Sequence, residues 1–313
     1  MTIEKKFIDQ FVYVTSKAAL SSSYLVGKKD KIGADKAAVD SMRSELNKMS
    51  INGRIVIGEG ELDEAPMLYT GEKIGNKNGP EFDIAVDPLE GTNFAANNLP
   101  GALSVIAISE KGNLFSAPET YMEKISVNFN EKNVVDLDFS VKKNIYNLSE
   151  YLNKKPENIT VCILNRPRHN ETISNLRKLN VKLKLITDGD VSGALLVTDK
   201  KYGVDMFLGI GGGPEGVLAA SALDAFNCNF QGRFLFESEE DKKRALMMGI
   251  KDLSKKYDLE EIVCGDSIFC ATGITPGDLV SGIKIEDDKF ISETLVTHKS
   301  SGLKKVIRLK KKI

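Results

Sequence analysis

Short apolar runs that end in carboxylates and glycines most constrain how this chain can fold. The two sharpest runs end in Gly-Glu-Gly at residues 58–60 and in Asp-Pro-Leu-Glu-Gly-Thr at residues 87–92. Runs of Val, Ile and Ala of this length predict buried β-strands, so the polar residues fall just beyond the carboxyl ends of strands. Because open α/β sheets bind ligands at that edge, the pattern predicts an α/β protein with a ligand site there.

The second half of the chain alternates between strand and helix patterns. Strands are predicted at 159–164, 181–186 and 204–208, and helices at 170–179, 191–197 and 214–225. This alternation predicts βαβ units and a parallel sheet. Because the pattern changes at a polar stretch that contains Pro156, we expect two domains. These are an N-terminal α+β metal-binding domain at 1–157 and a C-terminal α/β substrate-binding domain at 158–313.

The first half is less regular. Apolar spacing predicts a helix over 3–25 and a second helix with Asp35 in its first turn. Strands are predicted at 54–57, 82–86 and 103–109, with a strand-rich segment at 124–141. The basic segment 304–312 is expected to form a solvated final strand. We therefore expect a layered α/β fold with a mixed-sheet N-terminal half and a mostly parallel-sheet C-terminal half.

The charge balance excludes some classes of partner. The chain has 43 basic and 44 acidic residues and a net charge of -1, so no overall field attracts nucleic acid or an anionic membrane. A small-molecule partner is expected instead. The apolar stretches fall far short of the ~20 residues that a membrane span needs, and no apolar run follows Lys5 and Lys6. We therefore expect a cytoplasmic protein.

Histidine and cysteine offer little to a metal ion. The two histidines, His169 and His298, exclude a histidine-rich metal centre, and the four cysteines lack the spacing of a zinc site. We expect these cysteines to be buried apolar side chains in a reducing compartment. Any divalent cation would then be bound mainly by oxygen, which favours Mg²⁺ or Mn²⁺.

The loop at residues 87–92 carries the strongest signal for a cation. Pro88 fixes its own φ angle, and Gly91 permits a tight bend. We expect three oxygen donors of this loop to converge on one point: Asp87, Glu90 and Thr92. Such donors suit Mg²⁺, although an ordinary turn is the alternative for this motif.

The Gly-Glu-Gly loop is the second acidic element. The glycines on either side allow backbone and an ion to approach Glu59 closely. Crowded carboxylates repel one another unless a cation or solvent relieves them. We expect Glu61 and Glu64 to be solvated surface charges.

Glycine-rich segments follow strands of the second half. Asp188-Gly-Asp190 follows one predicted strand, and Gly-Ile-Gly-Gly-Gly-Pro-Glu-Gly at 209–216 follows another. Glycine N–H groups at the start of a helix form an anion pocket. The second segment also matches G-x-G-x-x-G, so a dinucleotide oxidoreductase is a rival interpretation. We discount it because Glu215 would place a negative charge in the pyrophosphate cradle, whereas it would suit a cation.

Arg166 and Arg168 follow the strand predicted at 159–164. Their planar donor groups suit a phosphate. Solvated arginines are the alternative on this observation alone.

These elements belong to a set of segments with one family resemblance. The segments are Lys31-x-x-x-Asp35, IGEGELDEAPMLYTGEKIG from Ile57, DIAVDPLEGT from Asp83, AP-x-x-YMEK ending at Lys124, RPRH from Arg166, DGDV from Asp188, GIGGGPEG from Gly209 and FCATGIT from Phe269. Together they resemble the class II (GlpX-type) fructose-1,6-bisphosphatases over nearly the whole chain. That family is similar to the wider lithium-sensitive sugar phosphatases, which include the inositol monophosphatases.

The resemblance implies a layered sugar-phosphatase fold and Mn²⁺- or Mg²⁺-dependent hydrolysis of the 1-phosphate of fructose 1,6-bisphosphate in gluconeogenesis. It implies two metal positions, one held by Asp35 and Glu59 and one by Asp87, Glu90 and Glu215. It implies a substrate pocket lined by Glu90, Gly91, Thr92, Tyr121, Arg166, Pro167, Arg168, Asp188, Gly189, Asp190 and Gly212. It also implies a homo-oligomer, either a dimer or a tetramer.

The expected mechanism is an in-line displacement by water, assisted by two metals, without a covalent enzyme intermediate. Glu59 and Thr92 are predicted to orient and deprotonate the water, and Asp63 and Lys31 complete the expected catalytic set. Two alternatives stay open. The chain would be a phosphatase for sedoheptulose 1,7-bisphosphate or an inositol phosphate, or a phosphometabolite sensor without turnover.

Overall fold

The computed structural model of the protein describes residues 2–60 and 67–313. Within these ranges the helices are α1 (Lys6–Ser23), α2 (Lys31–Lys48), α3 (Thr92–Ala96), α4 (Val141–Leu152), α5 (Asn170–Lys178), α6 (Asp190–Leu195), α7 (Gly213–Asp224), α8 (Glu239–Met247) and α9 (Leu259–Ile262). The strands are β1 (Asn52–Ile57), β2 (Lys73–Ile74), β3 (Glu81–Glu90), β4 (Leu103–Glu110), β5 (Tyr121–Val127), β6 (Thr160–Leu164), β7 (Lys182–Ile186), β8 (Met206–Gly212), β9 (Asn229–Leu235), β10 (Lys256–Asp258), β11 (Ser267–Gly273), β12 (Lys284–Glu286), β13 (Lys289–His298) and β14 (Leu303–Lys312).

The chain divides into two compact units. The first comprises residues 1–116 and 262–313, and the second comprises residues 117–261. The boundary predicted between residues 157 and 158 does not coincide with this division. It differs because β5 pairs with β8 and β9 of the second unit, while β11 and β13 return to complete the sheet that contains β4.

The first unit contains a mixed sheet with the order β12-β13-β11-β4-β3-β1-β2, and β14 also pairs with β13. Among the described strands of this sheet, β1 and β3 are the pair that runs in parallel. The core includes the apolar faces of α1 and α2, and Phe7 packs edge-on against Phe82 with ring centroids 5.2 Å apart. Full burial of such a ring contributes roughly 1.5–3 kcal/mol. The mixed sheet predicted for the N-terminal half is confirmed.

The helix α2 begins at Lys31, four residues before Asp35. Asp30 is the N-cap, and its carboxylate accepts a hydrogen bond from the Gly33 N–H at 2.8 Å. A carboxylate at this position satisfies one of the unpaired donors of the first turn. The prediction that Asp35 lies in the first turn is therefore wrong, because the cap sits one turn earlier.

The second unit contains a six-stranded sheet with the order β10-β9-β5-β8-β6-β7. The three strands predicted from the βαβ pattern pair in parallel, β6 with both β7 and β8. The remaining pairings, which involve β5, β9 and β10, are antiparallel. The α/β fold class is thus confirmed, but the C-terminal half is less parallel than predicted. Of the predicted strand-rich segment, only the part up to Val127 is strand, and α4 begins at Val141.

The structure also tests two smaller expectations. The basic segment forms β14, and most of its side chains are exposed, as predicted. All four cysteines are free and three are buried, but Cys264 is exposed, so the expectation of burial is wrong there. In the described parts of the chain, no helix is long and apolar enough to cross a membrane.

Candidate active site

Two acidic loops of the first unit leave the same edge of its sheet. β1 and β3 are parallel, and Ile57 lies opposite Ala85. Glu59 and Asp87 each come two residues later in the chain. Because the carboxyl ends of parallel strands meet at one edge, the two loops begin side by side, as the sequence predicted.

The glycines around Glu59 are required by a close backbone contact. A Cβ on Gly58 would lie 1.8 Å from the Leu68 carbonyl oxygen, and Gly60 has a φ of +123°. The Glu59 N–H donates to that same oxygen at 3.0 Å. Glu72 anchors the returning segment, since its carboxylate accepts from the Leu68 N–H and pairs with Arg43 at 2.7 Å. The half-buried Glu59 is therefore held by a fixed backbone.

A β-bulge places Asp87 and Glu90 on one face of the first sheet. In the pairing of β3 with β4, Asp87 lies opposite Val105 and Glu90 lies opposite Leu103. Directly opposed residues point to the same face, and Val105 and Leu103 are two residues apart on β4. The extra residue on β3 therefore brings both carboxylates to the same side. Pro88 fits within the bulge because it has no N–H to donate to the ladder.

Gly91 turns the chain directly after this bulge. Its φ of 79° and ψ of 51° lie in the left-handed region, and Thr92 then begins α3. A side chain at Gly91 would be strained in this conformation, and its Cβ would lie 2.8 Å from the Phe94 ring. Thr92 is half-buried and lies two residues before the buried Phe94.

Two other predicted residues of the first unit, Lys31 and Asp35, lie on α2. Burial raises the pKa of the half-buried Asp35 carboxyl above its ordinary value. Lys31, by contrast, is exposed at the start of the helix. Asp63 lies outside the described residues, as do Glu61 and Glu64.

The second unit has its own group of polar residues at the end of β8. A Cβ on Gly211 would lie 2.2 Å from Asp190 Oδ2, and a Cβ on Gly212 would lie 1.8 Å from Glu215 Oε2. These positions are glycine because carboxylates lie directly over the backbone. Burial is the largest influence on Glu215 and raises its pKa, while Lys124 opposes the shift and Asp190 adds to it. The run therefore accommodates negative side chains and not the pyrophosphate of a dinucleotide.

Lys124 neutralises this group and was not among the predicted site residues. Its side chain is 1% exposed, and its ammonium donates to Asp190 Oδ2 and, at 2.6 Å, to the Gly212 carbonyl oxygen. The other carboxylate oxygen, Asp190 Oδ1, is buried without a hydrogen-bond partner in the structure. A lysine on a strand gives no signal of burial unless its distant acidic partner is known.

The arginine segment also contacts β8. Arg168 Nε donates to the Ile210 carbonyl oxygen at 2.9 Å, and the guanidinium lies 4.8 Å from the centre of the Tyr121 ring. Arg166 lies 3.6 Å from Asp188 Oδ1. Pro167 lies between the two arginines and begins a short 3-10 helix that contains Arg168. The segment thus brings together Tyr121, Arg168 and the end of β8. Gly189, another predicted substrate residue, has a φ of 81° and is the N-cap of α6.

One cavity of the second unit is lined by two of the predicted substrate residues and one predicted metal ligand, Tyr121, Gly212 and Glu215. It has a volume of about 300 Å³ and is lined by Glu119, Thr120, Tyr121, Gly212, Pro214, Glu215, Glu237 and Asp241. A larger cavity of about 920 Å³ lies in the first unit between α1, the end of α2 and β14, and none of the predicted site residues lines it. We therefore assign no catalytic role to the larger cavity.

The residues fit a divalent cation by their chemistry. Among residues 2–60 and 67–313, no three His, Cys, Asp or Glu side chains approach one another closely enough to form a metal site. Even so, Asp87 and Glu90 share a face, and Glu215 and Asp35 are carboxyls whose ionised forms are disfavoured by burial. A cation stabilises the ionised form of such groups.

An α/β fold with carboxylates at strand ends in one unit and paired arginines at a strand end in the other is typical of the metal-dependent sugar phosphatases, a class of phosphoric monoester hydrolases. Residues 5–311 match the family described as bacterial fructose-1,6-bisphosphatase, glpX-encoded. The chain therefore belongs to this family, and the resemblance found in its sequence is confirmed. Membership implies dependence on a divalent metal ion.

Named relatives agree with the family. The chain is 40% identical over 317 residues to the D-fructose 1,6-bisphosphatase class 2/sedoheptulose 1,7-bisphosphatase of Trichodesmium erythraeum, with 93% of this chain and 92% of that protein covered. It is 39% identical to the protein of the same name from Synechocystis, with 94% and 92% covered. Among solved structures, the extragenic suppressor protein suhB of Bartonella henselae gives a TM-score of 0.37 at 14% identity, covering 63% of this chain and 73% of that one.

Proposed function

We propose that the protein hydrolyses the 1-phosphate of fructose 1,6-bisphosphate to give fructose 6-phosphate and phosphate. Membership of the bacterial fructose-1,6-bisphosphatase family over residues 5–311 is the observation that carries this proposal. The names of the relatives include sedoheptulose 1,7-bisphosphate as a second substrate. Both molecules carry a phosphate at each end, so one site with two anion-binding parts would accept either.

The proposed metal ligands are Asp35 and Glu59 for one ion, and Asp87, Glu90 and Glu215 for a second, with Mn²⁺ or Mg²⁺ as the ions. When bound, such ions would neutralise the transferring phosphoryl group and make water more acidic. Oxygen ligands alone favour these hard cations over zinc. The bulge supports the assignment because it holds Asp87 and Glu90 on one face of the sheet.

The proposed reaction is a direct displacement. Water oxygen forms a bond to phosphorus as the bond from phosphorus to the C1 oxygen breaks, and the proton of the water passes to the Glu59 carboxylate. The C1 oxygen leaves with the electron pair of the broken bond and takes a proton from solvent, which gives the C1 hydroxyl of fructose 6-phosphate. The Thr92 hydroxyl orients the water, because a hydroxyl beside a carboxylate relays a proton. Lys31 and Asp63 complete the proposed catalytic set.

The paired arginines are proposed to bind the phosphate that does not react. Arg168 lies against Tyr121 and the end of β8, which fixes its position before a ligand arrives. Binding energy at this remote phosphate would position the reacting end. The remaining proposed contacts to the substrate are Glu90, Gly91, Thr92, Arg166, Pro167, Asp188, Gly189, Asp190 and Gly212. Arg168→Ala should therefore impair turnover of a bisphosphate far more than that of a monophosphate, and equal losses would refute this role.

The direct test is phosphate release from fructose 1,6-bisphosphate in the presence of Mn²⁺, Mg²⁺ or EDTA. Sedoheptulose 1,7-bisphosphate and inositol 1-phosphate are assayed in parallel. Metal-dependent release from fructose 1,6-bisphosphate supports the proposal. Release from only one of the other substrates would assign the same site to that substrate, and no release from any would favour a phosphometabolite sensor.

We also propose that the protein forms a homo-oligomer, either a dimer or a tetramer. Light scattering after size-exclusion chromatography measures the mass in solution directly. A mass of 34.3 kDa, that of one chain, would refute this proposal.

A further inference from the structure

The last residues of β8 lack a neighbouring strand on the side of β6. In the described chain, β6 pairs with β8 no further than Phe207, whereas β8 continues to Gly212. Side chains take the place of the missing strand. The Ile210 N–H donates to His169 Nε2 at 2.7 Å, and the Ile210 carbonyl oxygen accepts from Arg168 Nε at 2.9 Å. Two consecutive residues thus satisfy both backbone groups of Ile210, as buried backbone requires.

These contacts fix the tautomer of His169. Because Nε2 accepts a hydrogen bond from the Ile210 N–H, it carries no proton of its own. The proton therefore resides on Nδ1, which donates to the Leu164 carbonyl oxygen at 2.7 Å. The imidazole is 1% exposed and connects the end of β6 to the end of β8. In a protonated ring Nε2 would carry a hydrogen and face the Ile210 N–H, which is also a donor. The hydrogen bond between His169 and Ile210 could then not form.

The segment that His169 holds carries the phosphate-binding groups proposed above. Arg168 precedes it in the chain and binds the same residue of β8. The carboxylates of Asp190 and Glu215 lie over the next two glycines, close enough to clash with any added Cβ. If Ile210 shifted, Arg168 would lose its fixed position relative to Gly211 and Gly212 at the end of β8.

We propose that His169 is a positioning residue that fixes Arg168 on the glycine-rich end of β8 and thereby sets the affinity for the phosphate that does not react. The proposal rests on the function proposed above. His169 itself touches no substrate in this scheme. Its effect should appear in KM for a bisphosphate and much less in kcat.

Two variants of His169 test this role. Glutamine places its amide oxygen about where Nε2 lies and keeps the bond from Ile210, whereas asparagine reaches only to the position of Nδ1. His169→Asn should raise KM for fructose 1,6-bisphosphate about tenfold, which corresponds to ~1.4 kcal/mol, with kcat within about threefold. His169→Gln should stay within about threefold of the wild type in both constants. KM for fructose 1-phosphate, which lacks the remote phosphate, should change in neither variant.

His298→Asn is the matched control, since His298 is also 1% exposed but lies in the first unit and contacts Asp266. It should leave KM unchanged. Equal effects of the two asparagine variants, or equal losses in His169→Asn and His169→Gln, would overturn the proposal.

An NMR spectrum of the wild-type protein tests the tautomer of His169 even if a variant fails to fold. The chain has two histidines, so ¹⁵N-labelled imidazoles give two sets of signals. The set that survives in His298→Asn belongs to His169 and should show an unprotonated Nε2 at neutral pH. A protonated Nε2 would overturn the inference. Absence of any bisphosphatase activity in the wild type would instead count against the proposed function, while leaving this tautomer measurable.

Discussion

The two units position their polar residues by different means. In the first unit, a bulge between Asp87 and Glu90 and a left-handed glycine at 91 act within a few consecutive residues. In the second unit, Lys124 reaches Asp190 across 66 positions of sequence, and His169 reaches Ile210 across 41. A local distortion leaves a readable motif, whereas a long-range side-chain contact leaves none. The comparison predicts that the units will respond differently to substitution.

The largest expected effect is on the stability of the second unit. Lys124→Met would leave Asp190 buried without its counter-charge, and removal of one partner of a buried ion pair typically costs 3–5 kcal/mol. Lys124→Met combined with Asp190→Asn should recover more than half of that loss, because the uncompensated charge is gone. Urea unfolding followed by circular dichroism measures both. A single variant as stable as the wild type would show that the long-range pair does not hold this unit.

Glu59→Gln tests whether the local loops of the first unit perform the chemistry. We expect kcat to fall by about 10² or more, as for loss of a positioned base, with the fold unchanged. Steady-state phosphate release with Mn²⁺ measures the effect. Glu81→Gln is the control, because Glu81 is exposed at the opposite end of β3 and pairs with Lys111. A near-normal kcat in Glu59→Gln would remove Glu59 from the mechanism.

Gly91→Ala tests the local distortion itself. Gly91 and Gly112 both have a positive φ, of 79° and 89°, but a Cβ at Gly112 would meet nothing within 4 Å. Gly112→Ala should therefore cost about 1–2 kcal/mol from backbone strain alone. Gly91→Ala should cost about 1–3 kcal/mol more, because its Cβ overpacks against Phe94. Thermal unfolding compares the two, and equal losses would show that Phe94 gives way freely.

The smallest expected effect is a pH dependence from His169. Burial lowers its pKa below the ordinary 6.5, with Arg168 and Arg166 acting in the same direction and Asp190 in the opposite one. The unfolded chain therefore binds this proton more readily than the folded chain. The resulting contribution to the free energy of unfolding is complete above pH 6.5 and is lost as the pH falls through 6.5 towards the lower folded value.

The urea midpoint of the wild type should thus fall more than that of His169→Gln between pH 7.5 and pH 5.5. The difference between the two curves isolates this group from all others that titrate. Parallel curves would contradict the assignment of a lowered pKa.

The same contrast explains what the sequence allowed us to predict. The strands at 54–57, 82–86 and 159–164 were readable because apolar runs specify buried strands. The family was readable because its motifs are local. The division into units could not be predicted from the sequence, since it depends on the pairing of β11 with β4, which lies far away in sequence, and of β13 with β11. The contacts of Lys124 with Asp190 and of His169 with Ile210 were missed for the same reason. The individual metal and substrate contacts remain predictions, and that for Asp63 falls outside the described residues.

The interrupted sequence of the first unit has a consequence for synthesis on the ribosome. β4 takes β11 as a neighbour, and β11 in turn takes β13, which ends at His298. The first unit is thus incomplete until almost the whole chain has been made. The second unit is complete at residue 261, although it begins later. At roughly 5–20 residues per second, synthesis from residue 261 to His298 takes about 2–7 seconds. The second unit can therefore fold during this interval, while the N-terminal strands of the first unit still lack β13.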